Sequence, residues 1–229
     1  MTSSDPLRLI LASGSPRRRE LLGLTGLAFE VVKVEIDENP YPGEAAQDYT
    51  VRLSHTKAQA ALDSGLTEGL ILAADTTVAD GNAILGKPAD PDEARTMLRQ
   101  LRGRVHQGYT ALTLLNAANG QRVTEVAITG VPMRDYTDDE IEAYIATGDP
   151  FDKAGSYAIQ HAGFHPTELT SGCYANVVGL PLCHLLRALR VFGVVPKPDV
   201  PLLCQQHHRY TCDVSASILA VPYENRDKR

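Results

Sequence analysis

The chain has 229 residues, of which 43% are hydrophobic and 22% charged, and this suits one globular domain with or without a tail. Its formal charge of -6 and its pI near 5.6 argue against a general nucleic-acid or membrane-surface binder. No apolar run approaches the roughly 18 residues of a membrane span, the N-terminus is acidic where a secretory signal would be basic, and four scattered cysteines do not suggest a disulfide framework. We therefore expect a soluble, reduced, cytoplasmic protein with no nucleic-acid or membrane partner.

The first half of the chain alternates strand and helix patterns. In order, the predicted elements are a strand at 7–13, a helix that begins at Ser15 and Pro16, a strand at 29–36, a helix at 44–63, a strand at 69–79 and a return strand at 83–85. Ser and Pro suit the cap and first position of the first helix. The Asp-Gly pair between the last two strands favours a hairpin turn.

The second half continues in the same way. The predicted elements are a helix at 91–102, strands at 105–116 and 122–133, and helices at 137–148 and 180–193. Strands mixed with helices in this order predict an α/β domain with a mixed sheet and flanking helices. The chain becomes proline-rich after Gly193, so we expect a domain over 1–195 and an appended tail over 196–229.

Residues 81–87 fit G-x-x-x-x-G-K, the beginning of a phosphate-binding loop. In such a loop Ser or Thr follows the lysine and a helix begins. Here Pro88 follows Lys87, and the pattern crosses the predicted hairpin, so we interpret the match as fortuitous. Lys87 itself lies between Gly86 and Pro88, and it is either a surface turn lysine or a ligand contact.

Residues 13–19, SGSPRRR, place a small-residue turn before a helix. Helix N-termini bind anions through free backbone N–H groups, and arginine suits phosphate. Because adjacent side chains on a helix diverge, we expect two of the three arginines to face one ligand. The alternative is a solvated basic first turn, although positive charge there opposes the helix dipole.

Asp75 ends an apolar stretch in AADTT, residues 73–77. An aspartate at the end of a strand is often found at the ligand edge of a sheet, where it binds a divalent cation or activates water. The commoner alternative is a cap on the following turn. Asp37 and Glu38 follow the second predicted strand, and they are either further oxygen ligands or solvated loop acids.

Two further stretches contain candidate ligand groups. In 152–160, DKAGSYAIQ, Asp152 and Lys153 either pair on the surface or face a ligand, and Gln160 has the donor and acceptor needed to read a nucleobase edge. In 204–212, two cysteines and two histidines have a spacing that matches no standard zinc finger. We expect the two other internal histidines of interest, His106 and His184, to be packed within a strand and a helix.

Seven motifs occur in order along the chain: LASGSPRRREL (11–21), VRLSHTKA (51–58), AADTTV (73–78), LGKP (85–88), GRVHQGYTAL (103–112), DKAGSYAIQ (152–160) and NVVGLPL (176–182). Across roughly residues 7–193 this series resembles the Maf proteins, nucleoside triphosphate pyrophosphatases first associated with inhibition of septum formation. The resemblance implies an α/β fold related to that of inosine triphosphate pyrophosphatases, with two lobes around a deep cleft, and a homodimer.

The same resemblance implies hydrolysis between the α and β phosphates of a nucleoside triphosphate, with Mg²⁺ or Mn²⁺ as cofactor. Asp75 corresponds to the family's catalytic proton acceptor and, together with Asp37, to acidic positions near the metal. The positions linked to substrate choice are Arg17, Thr76 and Gln160. The polar positions that line the cleft are Ser13, Arg18, Lys57, Lys87 and Lys153.

The implied substrates are dTTP and UTP, and modified pyrimidine nucleotides are further candidates. Thr76 and the stretch at 152–160 are similar to that branch of the family and differ from the branch that favours 7-methyl-GTP. The chain departs from the family's pattern at 161–172, which is more polar and contains Pro166, so the cleft rim and the dimer contacts differ. The alternative function is a nucleotide-binding regulator of cell division without significant hydrolysis.

Overall fold

The structure is a computed structural model that describes residues 8–168 and 171–223. Its strands are β1 (Leu9–Ala12), β2 (Phe29–Val32), β3 (Leu70–Asp80), β4 (Ala83–Leu85), β5 (Val105–Asn116) and β6 (Arg122–Pro132). They form one six-stranded sheet in the order β2-β1-β3-β5-β6, with β4 paired to β3. β1 is parallel to both β2 and β3, and the other pairs are antiparallel. The predicted mixed sheet is confirmed.

The helices flank this sheet. They are α1 (Pro16–Gly23), α2 (Ala46–Asp63), α3 (Pro91–Leu101), α4 (Asp138–Ala146), α5 (Tyr174–Val178), α6 (Leu182–Val191), α7 (Val200–His208) and α8 (Ser215–Ala220). The five predicted helices are confirmed within a few residues at each end. Thr137 and Glu140 form a reciprocal capping box at the start of α4, in which each side chain accepts the other residue's backbone N–H.

The predicted strand at 29–36 is wrong beyond Val32. β2 lies at the edge of the sheet and pairs only with β1, from Leu9 opposite Phe29 to Ala12 opposite Val32. Because the chain leaves the sheet after Ala12 to begin α1, residues 33–36 have no strand beside them. A period-two pattern shows that a segment is able to form a strand, but it does not show where the partner strand ends.

Side chains alternate between the two faces of the sheet along β3. Leu72 packs into a hydrophobic cluster with α1 and α6, whereas Ala73 packs on the other face against α2. Continuing this alternation places Asp75 on the α2 face and Thr76 on the opposite face. Two residues that are adjacent in sequence therefore meet different parts of the protein.

The hydrophobic packing also divides along the length of β3. Ala74 belongs to the cluster with α1 and α6, whereas Val78 belongs to a separate cluster that includes residues of α3 and α4. Along β3, the positions of Asp75 and Thr76 thus lie between residues of two packed regions.

The C-terminal helices α7 and α8 pack against α6. Val200 is 1% exposed within the cluster of α1 and α6. Arg187 pairs with Glu125 at 2.6 Å and donates to the carbonyl of Ile218 at 3.2 Å. The hydroxyl of Tyr223 accepts the backbone N–H of Thr124 on β6 at 3.3 Å. The tail is therefore joined to the sheet by buried apolar contact and by hydrogen bonds.

Parts of three predicted segments lie outside the described residues, namely 7 in the first strand, 169–170 in the polar stretch and 224–229 in the tail. The acidic N-terminal residues 1–6 also lie outside. Within 8–168 and 171–223, no helix combines the length and the apolar character needed to cross a bilayer.

Candidate active site

Asp75 is buried on β3, with 6% of its surface exposed. Its Oδ1 accepts a hydrogen bond from Lys57 Nζ at 2.6 Å, and its Oδ2 accepts one from Thr77 Oγ1 at 3.3 Å. Lys57 is on α2, which packs on the same face of the sheet, so the ion pair joins helix to strand. An ionised carboxylate accepts about four hydrogen bonds, and Asp75 therefore keeps lone pairs for a further donor.

Lys57 binds a second carboxylate as well. Its Nζ lies 2.7 Å from Glu38 Oε1, and Lys87 Nζ lies 3.8 Å from Glu38 Oε2. Burial acts to raise the pKa of Glu38, but the hydrogen bond from Lys57 and the charges of Lys87 and Arg18 outweigh burial and hold that pKa below its usual value. Asp75, Lys57, Glu38 and Lys87 form a continuous series of alternating charges, which we call the charge chain.

Tyr49 anchors the segment that carries Glu38. The phenol donates to the backbone carbonyl of Glu38 at 2.7 Å. Burial, reinforced by the negative charges of Asp75 and Glu38, raises the pKa of Tyr49 to about 12. The phenol therefore stays protonated, and remains a donor, throughout the physiological pH range.

No contact in the described part of the chain joins Asp37 to Asp75, the two acids predicted to lie near a metal. Oδ1 of Asp37 accepts the backbone N–H of Asn39 at 2.9 Å and the side-chain amide of Asn39 at 2.7 Å. This local turn, common for aspartate, directs the carboxylate back to its own loop. The neighbouring Glu38 makes the contact with Lys57 instead.

The basic turn at 13–19 begins α1 as predicted. Ser15 is the N-cap, and its hydroxyl accepts the backbone N–H of Arg18 at 3.4 Å. The hydroxyl of the buried Ser13 accepts the backbone N–H of Ser15 at 3.2 Å, so it shapes the turn. Arg17 is half-buried, and its charge contributes to lowering the pKa of Arg18, although burial is the larger cause.

Arg18 reaches from α1 to β3. Its Nη2 donates to Thr76 Oγ1 at 2.9 Å, and its Nε donates to the carbonyl of Gly179 at 2.8 Å. Burial lowers the pKa of Arg18, while the negative charges of Asp75 and Glu38 oppose that effect. The guanidinium is thus close enough to the charge chain to interact with it, although the Thr76 side chain that holds it belongs to the opposite face.

The stretch at 152–160 lies against the β3–β4 hairpin. The backbone N–H of Gly155 donates to the carbonyl of Gly86 at 3.0 Å, beside Lys87. Gly155 has a φ of +69°, and a Cβ there would lie 2.9 Å from Val78 Cγ1. Only glycine meets both requirements.

Lys153 and Gln160, both predicted to face substrate, differ in their surroundings. Lys153 Nζ donates to the Asp149 carbonyl at 2.6 Å, to Asp149 Oδ1 at 2.9 Å and to Asp152 Oδ1 at 2.6 Å. An ammonium has three N–H groups, so Lys153 is fully engaged by its own turn. Gln160 is exposed at the end of the stretch. No contact described here joins either residue to the charge chain.

The residues that hold the hydroxyl of Thr76 in place were not predicted from the sequence. Thr76 Oγ1 lies 2.9 Å from Thr110 Oγ1, which donates to the backbone carbonyl of Asn176 at 2.8 Å. Thr110 is buried on β5, where it is 0% exposed. The motifs at 103–112 and 176–182 contain these residues, but neither pattern indicates that they meet.

In the part of the chain that the structure describes, no three His, Cys, Asp or Glu side chains are grouped as a metal site. Asp75 and Glu38, which share the Nζ of Lys57, offer two hard carboxylate donors. Mg²⁺ typically keeps several waters and uses one or two protein carboxylates plus substrate phosphates. The pair therefore fits an ion whose remaining ligands come from a nucleotide and from water.

Within the described residues of the tail, the Cys and His side chains at 204–212 are not grouped as a metal site. The four cysteines are free and, with His208, line a cavity of about 20 Å³. Burial raises the pKa of Cys173, Cys183 and Cys204 to about 12. The three thiols are therefore neutral near pH 7.

The two packed histidines are confirmed. His184 lies buried in α6, and His106 lies buried on β5 with its Nε2 2.8 Å from the hydroxyl of Tyr157. Burial lowers the pKa of His106 to about 4, against a small opposing effect of the charge of Asp80. This contact ties the stretch at 152–160 to the sheet.

Comparison with known proteins identifies relatives over most of the chain. A family model described as Maf-like protein matches residues 8–192. The dTTP/UTP pyrophosphatase of Citrifermentans bemidjiense is 45% identical over 188 residues, which is 82% of this chain and 96% of that protein. The dTTP/UTP pyrophosphatase of Chromobacterium violaceum is 45% identical over 195 residues, 83% and 98% of the two chains.

A solved structure with partial similarity is the nucleoside-triphosphatase, or dITP/XTP pyrophosphatase, of Mycobacterium abscessus. It has 17% sequence identity and a TM-score of 0.37, and the match covers 56% of this chain and 75% of that one.

We predict that acid destabilises the protein through His106. The folded-state pKa of about 4 lies below the ordinary imidazole pKa of 6.5, so the unfolded chain binds more protons between these values. Stability therefore falls as pH drops through this window. This protonation lowers the free energy of unfolding by at most about 3 kcal/mol. Urea unfolding between pH 7 and 4 should show a shallower loss for His106→Gln than for wild type, with the exposed His165→Asn as control. Equal pH slopes for wild type and His106→Gln would contradict this assignment.

Proposed function

Because this chain belongs to the Maf-like protein family, we propose that it hydrolyses nucleoside triphosphates, principally dTTP and UTP, to the nucleoside monophosphate and pyrophosphate. Relatives named dTTP/UTP pyrophosphatase are 45% identical to this chain over more than four fifths of its length. The observation that carries the proposal is Asp75, buried on β3 and fixed by Lys57 beside further basic side chains. The names of the relatives offer no support for a regulator without hydrolysis.

The charges around Asp75 suit a polyanion. The negative charges of Asp75 and Glu38 are balanced by the positive charges of Lys57 and Lys87. Arg18 adds further positive charge, which contributes to lowering the pKa of Glu38. Negative charge grows on the departing pyrophosphate as the α–β bond breaks. Cations fixed in advance near that position stabilise the transition state more than the ground state.

Asp75 is the proposed general base. Lys57 holds Oδ1, and the hydroxyl of Thr77 contacts Oδ2 without exhausting its lone pairs. A water that donates to Oδ2 would be oriented and partly deprotonated for attack on the α phosphorus. The fixed carboxylate limits the directions from which that water approaches, and orientation of this kind accounts for much of the rate enhancement in such reactions.

A divalent cation, Mg²⁺ or Mn²⁺, is the proposed cofactor, with Asp75 and Glu38 as its protein ligands. When bound, such an ion neutralises phosphate charge and polarises the phosphoryl oxygen. Both carboxylates are already oriented by Lys57. Glu38 also owes its position to the hydrogen bond from Tyr49 to its carbonyl.

Substrate preference is proposed to depend on Arg17, Thr76 and Gln160, with modified pyrimidine nucleotides as further substrates. The exposed amide of Gln160 is free to match the donor and acceptor groups of a pyrimidine edge. Thr76 acts differently, because its hydroxyl is bonded to Arg18. Lys153, with its N–H groups engaged by its own turn, would support the position of 152–160 instead of binding phosphate.

We further propose that residues 1–195 form the catalytic domain, that 196–229 are an appended segment, and that the protein is a cytoplasmic homodimer. The end of the family match at residue 192 supports the domain boundary. Four free cysteines suit a reducing compartment.

Asp75→Asn should nearly abolish turnover, because the amide retains the shape of the side chain but is not a base. Pyrophosphate release from a panel of nucleoside triphosphates with Mg²⁺ or Mn²⁺ should show preference for dTTP and UTP in wild type and a loss of about 100-fold or more in the variant. Turnover of 7-methyl-GTP in preference to pyrimidine nucleotides would refute the substrate assignment. Unimpaired turnover by Asp75→Asn would refute the role of Asp75.

Glu38→Gln and Asp37→Asn form a matched pair, because each neutralises one of two neighbouring acids. Glu38→Gln should lower kcat by about tenfold and raise the Mg²⁺ concentration needed for half-maximal rate, since a charged hydrogen-bond partner of Lys57 is lost. Asp37→Asn should change either quantity by no more than about twofold. A larger effect of Asp37→Asn would restore Asp37 as the acid near the metal.

A further inference from the structure

Two hydrogen bonds fix the guanidinium of Arg18, and neither acceptor belongs to a charged group. They are the carbonyl of Gly179 at 2.8 Å, which accepts from Nε, and the hydroxyl of Thr76 at 2.9 Å, which accepts from Nη2. Arginine has five N–H donors, so three remain for other acceptors. The side chain is thus held by neutral groups, and its charge is left for the anionic ligand.

The direction of each proton in this arrangement follows from its last member. The backbone carbonyl of Asn176 only accepts, so Thr110 donates its single hydroxyl proton to that carbonyl at 2.8 Å. Thr110 therefore accepts from Thr76, 2.9 Å away, and Thr76 in turn accepts from Arg18. Arg18, Thr76, Thr110 and the Asn176 carbonyl form one ordered series, which we call the hydroxyl relay.

The surroundings of the relay leave it little freedom. Thr110 is 0% exposed, so an unpaired hydroxyl there would be costly. The amide of Asn176 is itself held, since its Nδ2 donates to the Gly108 carbonyl at 3.0 Å and to Thr129 Oγ1 at 2.8 Å.

Gly179 lies against the guanidinium of Arg18, where only a residue without a side chain fits. Its φ is +123°, and a Cβ there would lie 3.2 Å from Thr76 Oγ1 and 3.6 Å from Arg18 Nε. A side chain would crowd both hydrogen-bonded groups. The backbone of Gly179 thus approaches Arg18 closely enough to accept its hydrogen bond.

We propose that Thr110 is a positioning residue for substrate binding: it fixes the hydroxyl of Thr76, which fixes Arg18 for contact with the phosphates of the nucleotide. This inference rests on the proposed function. It assigns Thr76 an indirect part in substrate selection, through the orientation of Arg18. Because the relay orders the Arg18 side chain before the substrate binds, the free energy of binding does not include the entropic cost of ordering that side chain.

The test is the Kd for dTTP, measured by calorimetry in the Asp75→Asn background so that hydrolysis does not interfere. Thr110→Val removes the hydroxyl at nearly constant shape, and we expect it to raise Kd about tenfold. Thr110→Ser restores the hydroxyl and should stay within about threefold of the reference. Thr113→Val is the matched control, because it removes another fully buried hydroxyl of β5, one that is bonded to Ser54 and not to any member of the relay.

The same substitution in an Arg18→Lys background separates positioning from general damage. If Thr110 acts through Arg18, Thr110→Val should change Kd by less than about twofold once the guanidinium is absent. Equal weakening by Thr110→Val and Thr113→Val, or an undiminished effect of Thr110→Val in the Arg18→Lys chain, would overturn the proposal.

Should Thr110→Val fail to fold, Thr76→Val interrupts the relay at its other hydroxyl and should raise Kd by a similar factor. An unchanged Kd in Thr76→Val would then overturn the relay. Hydrolysis by the otherwise wild-type chain is measured in parallel. Absence of hydrolysis by that chain would refute the proposed function. The order of Kd values among the variants tests the relay independently of hydrolysis.

Discussion

The ammonium of Lys57 between the carboxylates of Asp75 and Glu38 is the interaction on which the candidate site depends. The Nζ lies 2.6 Å from one and 2.7 Å from the other. Asp75 comes from the centre of the sheet and Glu38 from the loop after an edge strand, so a single cation joins two parts of the fold. Acids held close together without such a partner repel each other, and the buried Asp75 would also carry a large desolvation cost. With it, they are fixed in place and surrounded by positive charge that suits a triphosphate.

The alternation of a β-strand then gives adjacent residues separate tasks. Asp75 faces α2 and meets Lys57, whereas Thr76 faces α1 and meets Arg18. The strand passes between the two sides, so the position of Arg18 is set by hydroxyl groups on one face while the carboxylate chemistry is arranged on the other. Because both sets of contacts begin on β3, a shift of this strand by one residue would exchange the faces and destroy both.

Much of the architecture follows from sequence pattern, because capping residues, turns and apolar periodicity are local signals. The capping box at Thr137 and the hairpin at Asp80-Gly81 are examples. The length of β2 was not accessible in this way, since it depends on where β1 leaves the sheet. The contacts of Glu38 with Lys57, and of Thr110 with Asn176, join residues far apart in sequence. The motifs contained most of the polar residues that meet, whereas only the fold shows which of them meet and which, like Lys153, are already engaged.

The most direct test of the central claim is to replace Lys57 with glutamine and to measure pyrophosphate release from dTTP together with thermal stability. Glutamine keeps a donor but removes the charge that holds both carboxylates. The account predicts a loss of about 100-fold or more in kcat/KM, on the scale of removing a preorganised electrostatic group, in a protein that remains folded. Wild-type kcat/KM in the Lys57→Gln protein would show that the ion pair with Asp75 and Glu38 is not what the reaction depends on.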